Sequence, residues 1–222
     1  HALLEKNPKN RDVLFPYLNG EDLNSTLDQS ATRWVINFRD WPLDREHSPD
    51  GYRGPVATDY PDCLKIIQTL VKPERDSLAA GDATARDRAR RWWQFARPTM
   101  NLYRAIEGQS GILAISLVNN HLPLGLVPGS QVFAHKLCVF PHSSRYLLTL
   151  LQSNLHYHWS WHHCSTMRRD INYSPSDCFE TFPFPADLPN LEDIGTRYDA
   201  HRRTVMQATQ LGLTKTYNRF HD

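Results

Sequence analysis

Residues 164–185 read CSTMRRDINYSPSDCFETFPFP, a segment whose character changes halfway along. The first half is polar and carries both charge signs, in Arg168, Arg169, Asp170 and Asn172. The second half is aromatic and rich in proline, which fixes φ and favours extended backbone at the residue before it. Such a rigid apolar anchor would hold the polar half still, as a recognition segment requires. From these residues alone, an edge strand or turn packed on a core, with its charges in water, is the simpler interpretation.

The composition is that of an ordinary globular protein. The 222 residues are 40% hydrophobic and 22% charged, which excludes a disordered chain and allows one large domain or a domain with an appendage. A net charge of +1 and a pI near 7.9 lack the strongly basic balance of a free-standing nucleic-acid binder. A module tethered to a larger protein would not need a strong field of its own.

The four cysteines form no Cys-x-x-Cys pair, so their spacing suggests neither a zinc ribbon nor a small disulfide scaffold. Free thiols in a reducing, cytoplasmic compartment are the expectation. No apolar run reaches the length of a membrane helix, and no signal peptide opens the sequence. Because the first residue is His1 and not Met, we expect a fragment of a larger protein, with a catalytic domain upstream.

The pattern of apolar residues predicts an α+β fold, a central sheet flanked by helices. Strands are expected at residues 13–18, 33–38, 112–118 and 131–140, and a loop at 39–56. Helices are expected at residues 61–71, 83–96 and 145–158, with Pro73 kinking or dividing the first of them. Asn19-Gly20 is a turn signal. We expect one domain over residues 1–188 and a helical segment over 189–222, in which a surface helix leaves the domain and ends at Gly212.

The helix expected at residues 83–96 is rich in arginine. At helical spacing Arg86, Arg90 and Arg97 would share one face with Trp93, and the planar guanidinium group suits phosphate. Acidic residues nearby in sequence, among them Asp87, would neutralise several of these charges. A solvated helix face and a phosphate-binding face both remain open.

Five potential metal ligands fall within nine positions: His156, His158, His162, His163 and Cys164. Two of these histidines are four residues apart and would face the same way on a helix, a usable zinc spacing. No glutamate lies between them, so the metalloprotease motif is absent, and the interleaved tryptophans suit a packed helix end. We expect surface or core histidines and no bound metal.

No catalytic set is visible in the sequence. The short Asn/Asp-Pro-Pro-Tyr/Phe loop with which adenine methyltransferases hold a flipped base is missing. There is no glycine-rich strand-to-helix turn for a nucleotide or S-adenosylmethionine, and no serine flanked by glycines. We therefore expect that this part of the protein has no catalytic residues.

Several stretches resemble the C-terminal target-recognition region of MmeI-like (type IIL or IIG) restriction-modification proteins, which carry an adenine-N6 DNA methyltransferase. The stretches follow the order of that family along nearly the whole chain: FPYLNGEDLN (15–24), RWVINF (33–38), VKPER (71–75) with RWW (91–93), LQSNLHYHW (151–159), YSPSDCFETFPFP (173–185) and GLTKTYNRFH (212–221). One stretch alone would be weak evidence, whereas the ordered set is specific.

The resemblance implies a domain that reads double-stranded DNA. Base readers would be Arg168, Arg169, Asp170 and Asn172, since arginine pairs with guanine, asparagine with adenine, and aspartate accepts from cytosine or orients an arginine. Contacts to the DNA backbone would come from Arg90, Arg97, Lys136 and Arg145.

The partners implied are double-stranded DNA and an upstream methyltransferase domain of the same chain, and no membrane. This region would hold no cofactor, while the parent would use S-adenosylmethionine, and Mg²⁺ if it also has a nuclease. Two other hypotheses remain open: a protein-interaction domain that packs on the methyltransferase, and a small zinc-dependent enzyme built on the histidine cluster.

Overall fold

The computed structural model describes residues 2–186 and 190–221, whose contacts divide into two compact units. Unit 1 holds residues 2–15 and 34–104, and unit 2 holds residues 16–33 and 105–221. Helices and short strands are both present in the element order, so the predicted α+β class is confirmed. The strands form several small sheets in place of the single central sheet that we expected. The expected domain boundary between residues 188 and 189 falls on residues outside the described part.

Unit 1 is mostly helical. Its elements are α1 Ala2–Lys6, β2 Arg33–Ile36 (which starts at the unit boundary), α3 Pro61–Leu70, α4 Lys72–Ser77, α5 Ala83–Arg90 and α6 Met100–Ile106 (whose last two residues belong to unit 2), with 3₁₀ turns at Pro8–Asp12 and Ala57–Asp59. Its core surrounds Phe38 and Tyr60, both almost fully buried. The helix predicted over residues 61–71 is confirmed, and Pro73 marks the start of the next helix, where its missing N–H costs no hydrogen bond.

Two predictions for unit 1 need correction. The strand over residues 33–38 ends at Ile36, and Trp34 stays 62% exposed, so its side chain does not share a buried face with Phe38. The arginine-rich helix ends at Arg90, six residues earlier than predicted. Arg97 lies beyond the helix, so it does not share a helical face with Arg90.

Unit 2 contains the remaining strands and the long helices. Its elements are α2 Gly20–Ser25, β3 Ile112–Ser116, β4 Val118–Asn119, β5 Gly125–Val127, β6 Val132–Phe133, β7 Leu137–Phe140, α7 Arg145–Leu151, α8 Asn154–His163, β8 Ser165–Met167, β9 Asp170–Asn172, a π-helical turn Pro175–Phe179, α9 Leu191–Thr209 and α10 Leu213–His221. Strand β1 Leu14–Leu18 spans the division between the units, and its end pairs with β6 in parallel.

Two antiparallel sheets of unit 2 share one continuous chain. Strand β3 lies between β5 and β7 and is buried along its whole length. A single residue, Leu117, separates it from β4, which pairs with β9 in the second sheet. The N–H of Leu117 donates to the carbonyl of Lys136 at 2.9 Å, and its carbonyl accepts from the N–H of Tyr173 at 2.6 Å. The first sheet therefore fixes the position of the second.

The turn predicted at Asn19-Gly20 is instead a helix start. The Asn19 Oδ1 atom accepts a hydrogen bond from the N–H of Asp22 at 2.9 Å and caps α2. The helix predicted over residues 145–158 is two helices, α7 and α8. It is broken at Gln152, whose side chain bonds the N–H of Leu124 and the carbonyl of Leu122, and Ser153 then caps α8.

Helix α9 does not leave the domain as predicted. It packs closely on α7 through Gly195, where an added Cβ would lie 2.2 Å from the carbonyl oxygen of Arg145. Its end is also different from the expectation, because Gln210, with φ of 56°, takes the left-handed conformation in place of Gly212. No helix within residues 2–186 and 190–221 is long and apolar enough to cross a membrane.

A buried carboxylate joins α7 to α9. Asp199, 3% exposed, contacts three guanidinium groups: Arg145 at 2.8 Å, Arg202 at 2.6 Å and Arg203 at 3.0 Å. Burial opposes ionisation of this carboxyl, but the charges and hydrogen bonds of Arg202 and Arg203 outweigh burial and hold its pKa below the usual value. The sequence pattern predicted that these charged residues lie on a surface helix. In the structure Arg202 is only 5% exposed, so this part of α9 is buried.

A second buried polar pair lies in the core of unit 2. His156, fully buried, has its Nε2 atom 3.1 Å from the hydroxyl of Tyr173 and 3.4 Å from that of Ser160. The ring of Phe182 packs edge-on against the imidazole at 4.8 Å. Burial lowers the pKa of His156 from 6.5 to about 4, so the imidazole is neutral in the folded protein near pH 7.

We expect Asp199→Asn to destabilise the fold by about 3–5 kcal/mol, because buried guanidinium charge would lose its counterion. The Arg203→Ala variant is the control, since that side chain is 42% exposed and should cost about 1 kcal/mol or less. Urea unfolding of both variants at neutral pH measures the difference. Equal losses for the two variants would contradict the structural role of Asp199.

Neutral His156 makes stability depend on pH. Between the folded pKa near 4 and the unfolded value of 6.5, only the unfolded chain binds the proton, so stability is complete above pH 6.5 and falls as the pH decreases towards 4. The expected loss is about 3 kcal/mol. Denaturant titrations from pH 7.5 to 4 should show a smaller loss in His156→Gln than in the unsubstituted chain. Parallel pH profiles for the two proteins would show that His156 is not the titrating group.

Candidate nucleic-acid interface

The polar half of residues 164–185 is a β-hairpin. Strands β8 and β9 pair antiparallel, with Met167 opposite Asp170 and Ser165 opposite Asn172. The loop between them is therefore two residues long, Arg168-Arg169. The backbone of Arg168 has φ of 60°, a left-handed conformation that two-residue hairpin loops require and that a non-glycine residue rarely adopts.

The two faces of this sheet differ. Residues directly opposite one another in an antiparallel pair project to the same face, so Ser165, Met167, Asp170 and Asn172 share one face, and Val118 of β4 joins them through its pairing with Asn172. On this face Met167 is 58% exposed and Val118 41% exposed. We call these five residues the open face of the hairpin.

The opposite face holds the hairpin in place. Ile171 is fully buried in the core of unit 2, and Tyr173, directly after β9, is 2% exposed. The aromatic half of the segment continues this anchor: Phe182 is buried, and Phe179 lies 4.9 Å from Phe140 between ring centroids. An edge hairpin thus packs on the core with its polar side chains outward, and the aromatic half of the segment forms the apolar anchor that the sequence predicted.

The structure brings the four predicted base readers together. Arg168 and Arg169 are exposed at the tip, and within the described part of the chain neither guanidinium forms an ion pair. Asn172 donates one amide hydrogen to the hydroxyl of Ser165 at 3.1 Å, which leaves its carbonyl oxygen and its second hydrogen for another partner. Asp170 is half-buried.

Asp170 also lines a small polar groove of about 280 Å³ in unit 2. Two exposed carboxamides, Asn120 after β4 and Asn218 on α10, line the same groove. Sequence reasoning named neither as a candidate site residue, and it placed Asn218 in the helical segment beyond the domain. It also missed Ser165 and Met167. The available signal for a hairpin was the symmetric spacing of Ser165, Met167, Asp170 and Asn172 on either side of residues 168 and 169. That signal is weak, because Arg-Arg is not a usual sequence for a two-residue hairpin loop.

The four predicted backbone contacts are dispersed. Arg90 of unit 1 is exposed and pairs with Asp87 at 2.9 Å, and Arg97 is exposed in the chain beyond α5. Hydrogen bonds from Arg91 and then Arg90 lower the pKa of Asp87 to about 2, so this carboxylate does neutralise part of the arginine cluster. Lys136 of unit 2 is exposed between β6 and β7. Arg145 is engaged with Asp199, as described above.

The histidine cluster does not converge on one point. His156 faces Tyr173 in the core, while His158, His162 and His163 are exposed along α8, with the ring of His163 4.1 Å from that of Trp159. Among the described residues, no three His, Cys, Asp or Glu side chains are placed to hold a metal ion. Cys164 is buried and lies beside the backbone of Ser174. The geometry therefore does not support a zinc enzyme built on this cluster.

Comparison with solved structures supports the fold. The chain is similar to a solved structure of the type IIL restriction-modification enzyme MmeI in complex with DNA, with a TM-score of 0.63 and 15% sequence identity. The similarity covers 96% of this chain and 26% of the solved one, so this chain spans about a quarter of that protein's length. No curated protein sequence matches the chain.

Comparison with protein-family models is more specific. The model described as MmeI, target recognition domain, matches residues 60–186, which is more than half of the sequence and includes the hairpin and its aromatic anchor. The matched region extends over parts of both units. The chain belongs to the MmeI target recognition domain family.

Proposed function

We propose that this chain recognises a specific sequence of double-stranded DNA for an adenine-N6 methyltransferase or restriction enzyme of which it is a part. Membership of the MmeI target recognition domain family is the observation that carries the proposal. Its fold similarity to an enzyme solved in complex with DNA supports the same function. The hairpin β8–β9 supplies the physical means, because the major groove of DNA admits a two-stranded β-ribbon.

The hairpin has the chemistry that base reading needs. Arg168 and Arg169 would each donate two hydrogen bonds to a guanine. The carbonyl oxygen and the second amide hydrogen of Asn172, which Ser165 does not use, would match an adenine edge. Asp170 would accept from the amino group of a cytosine or orient a neighbouring guanidinium. Rigid support matters as much as chemistry, and buried Ile171 and Tyr173 provide it directly beneath these side chains.

Backbone contacts would set the register of the DNA on the protein. Lys136 is the best placed of the four candidates, since its carbonyl bonds Leu117, which is bonded in turn to Tyr173 beside the hairpin. Arg90 and Arg97 remain candidates on unit 1. Arg145 is the weakest, because a guanidinium already paired with buried Asp199 would have to give up that contact.

The methyltransferase would lie in the rest of the protein, and it would be this domain's partner within the chain. S-adenosylmethionine would bind there, as would Mg²⁺ if a nuclease is present. The near-neutral charge of this chain fits such a division, because a tethered module gains effective concentration from its linkage to the other domain.

The proposal is tested on the full-length parent enzyme by mapping its methylated sites on genomic DNA. We expect Arg168→Ala, Arg169→Ala and Asn172→Ala each to relax the motif at a single base position, because each bidentate pair discriminates by about 1–3 kcal/mol, or about 5- to 150-fold. Arg197→Ala is the control, an arginine of the same unit that is 79% exposed on α9. An unchanged motif and rate in all variants would show that the hairpin is scaffold, as a protein-interaction domain would require.

A phosphate contact has a different signature. Lys136→Ala should weaken DNA binding by the parent enzyme equally for specific and nonspecific sequences, and should lower the slope of log K against log salt by about 0.9. Binding isotherms at several salt concentrations measure both effects, with Arg197→Ala again as the control. A change in sequence preference, without a change in slope, would contradict a backbone role for Lys136.

A further inference from the structure

A large cavity of unit 2 lies between helices α8, α9 and α10, and it shares two lining residues, His121 and Tyr217, with the polar groove that Asp170 lines. Its volume is about 810 Å³, within the range of sites that hold small molecules and cofactors. Helix α9 contributes one wall with Tyr198, His201 and Arg202, and α10 contributes another with Tyr217 and Arg219. Its described lining includes none of the four candidate base readers and no residue of the β-strands.

The lining of the cavity favours a negative ligand. Two guanidinium groups, of Arg202 and Arg219, and four imidazoles contribute to it: His121, His158, His201 and His221. None of its described lining residues carries a carboxylate. Asp199, which does not line the cavity, contacts Arg202 and is shared with Arg145 and Arg203. The two arginines of the described lining thus face no carboxylate within it, which favours anions.

The buried side of the cavity is a fixed set of polar groups. Arg202 donates to the carbonyl of Leu124 at 2.6 Å and to Asp199 at 2.6 Å, so its guanidinium cannot turn freely. The hydroxyl of Tyr217 donates to the Oε1 atom of Gln152 at 3.0 Å, and the hydroxyl of Tyr198 is hydrogen-bonded to that of Tyr217. Groups held in this way can receive a ligand without further loss of conformational entropy.

The outer part of the cavity is aromatic. The rings of His121 and His221 stack at 4.2 Å between centroids with 9° between their planes. Phe220, which lines the cavity, is 82% exposed and packs edge-on against His221 at 5.0 Å. Tyr157 adds a further aromatic ring. These flat surfaces suit a planar ligand, and aromatic side chains in a positive groove are how proteins bind unpaired bases.

We propose that this cavity binds a nucleotide, with its phosphate near the guanidinium groups and its base against the aromatic rim. A simple anion would leave the exposed ring of Phe220 uncovered, and a purely apolar ligand would bring no charge to Arg202 and Arg219. S-adenosylmethionine fits poorly, because its sulfonium cation would face a positively charged lining. The nucleotide comes either from solution or from a DNA strand in which a base has left the helix, and both present the same chemistry.

The chain itself is titrated with deoxyadenosine monophosphate, deoxyadenosine and inorganic phosphate in turn, by calorimetry and by NMR of the histidine side chains. We expect the nucleotide to bind with a Kd below about 1 mM and to shift the imidazole signals of His158 and His201. The nucleoside and phosphate alone should each bind at least about tenfold more weakly than the nucleotide, since each lacks one of the two kinds of contact.

Two exposed residues of the lining can be replaced without risk to the core. Arg219→Ala should weaken nucleotide binding by about tenfold through loss of a charged hydrogen bond, and Phe220→Ala by about 5- to 100-fold through loss of stacking. Lys215→Ala, exposed on the same helix but not in the lining, should have no effect. Arg168→Ala should also have none, so failure of this proposal and failure of the proposed DNA reading are separable.

Three outcomes would overturn the assignment. The first is the absence of histidine shifts at about 10 mM nucleotide, a concentration well above a 1 mM Kd. The second is equal affinity for phosphate and for nucleotide. The third is unchanged nucleotide affinity in both Arg219→Ala and Phe220→Ala. If binding is found, a single-stranded oligonucleotide identifies the source. An affinity at least about tenfold higher than that of the mononucleotide assigns the cavity to a DNA strand, and equal affinity assigns it to free nucleotide.

Discussion

The hairpin β8–β9 depends on two side chains that point away from the surface on which it would act. Strands of three residues form too few hydrogen bonds to be stable alone, so burial of Ile171 and Tyr173 has to fix them. Tyr173 is fixed in turn by the imidazole of His156, which is neutral because it is buried. The polar side chains of the open face therefore take their positions from the core of unit 2, and the aromatic residues that follow complete that core.

Sequence alone predicted the elements whose signals are local. The stripe of apolar residues from Leu64 to Val71 and the position of Pro73 were sufficient for α3 and for the start of α4. The buried strand β3 was equally clear, since a continuous apolar run has few other uses. The family resemblance added what periodicity could not, because ordered motifs along the chain identify a fold even where individual elements are ambiguous.

The elements that sequence missed are those decided by distant partners. Gln152 ends α7 because its side chain bonds the backbone at Leu122 and Leu124, which lie 30 and 28 residues away along the chain. Asp199 and Arg202 are charged residues of the kind that usually lies on a solvated helix face, yet both are buried. Their spacing of three residues occurs equally in surface ion pairs, so the sequence does not indicate that this pair is buried. For the candidate site, the four candidate base readers were predicted as one group. The hairpin that joins them was not predicted, because Arg168 takes a left-handed conformation that is rarely adopted by residues other than glycine.

If the hairpin reads DNA as proposed, its length sets how many base pairs it would contact. Three residues of extended chain measure about 10 Å, enough to enter a major groove about 8.5 Å deep but equal to only about three steps of the DNA helix at 3.4 Å each. A hairpin of this size would decide a few adjacent base pairs of a site and leave the others to different parts of the enzyme. Changes at its tip would then alter the preferred site one position at a time, while the buried strand residues that support it stay the same.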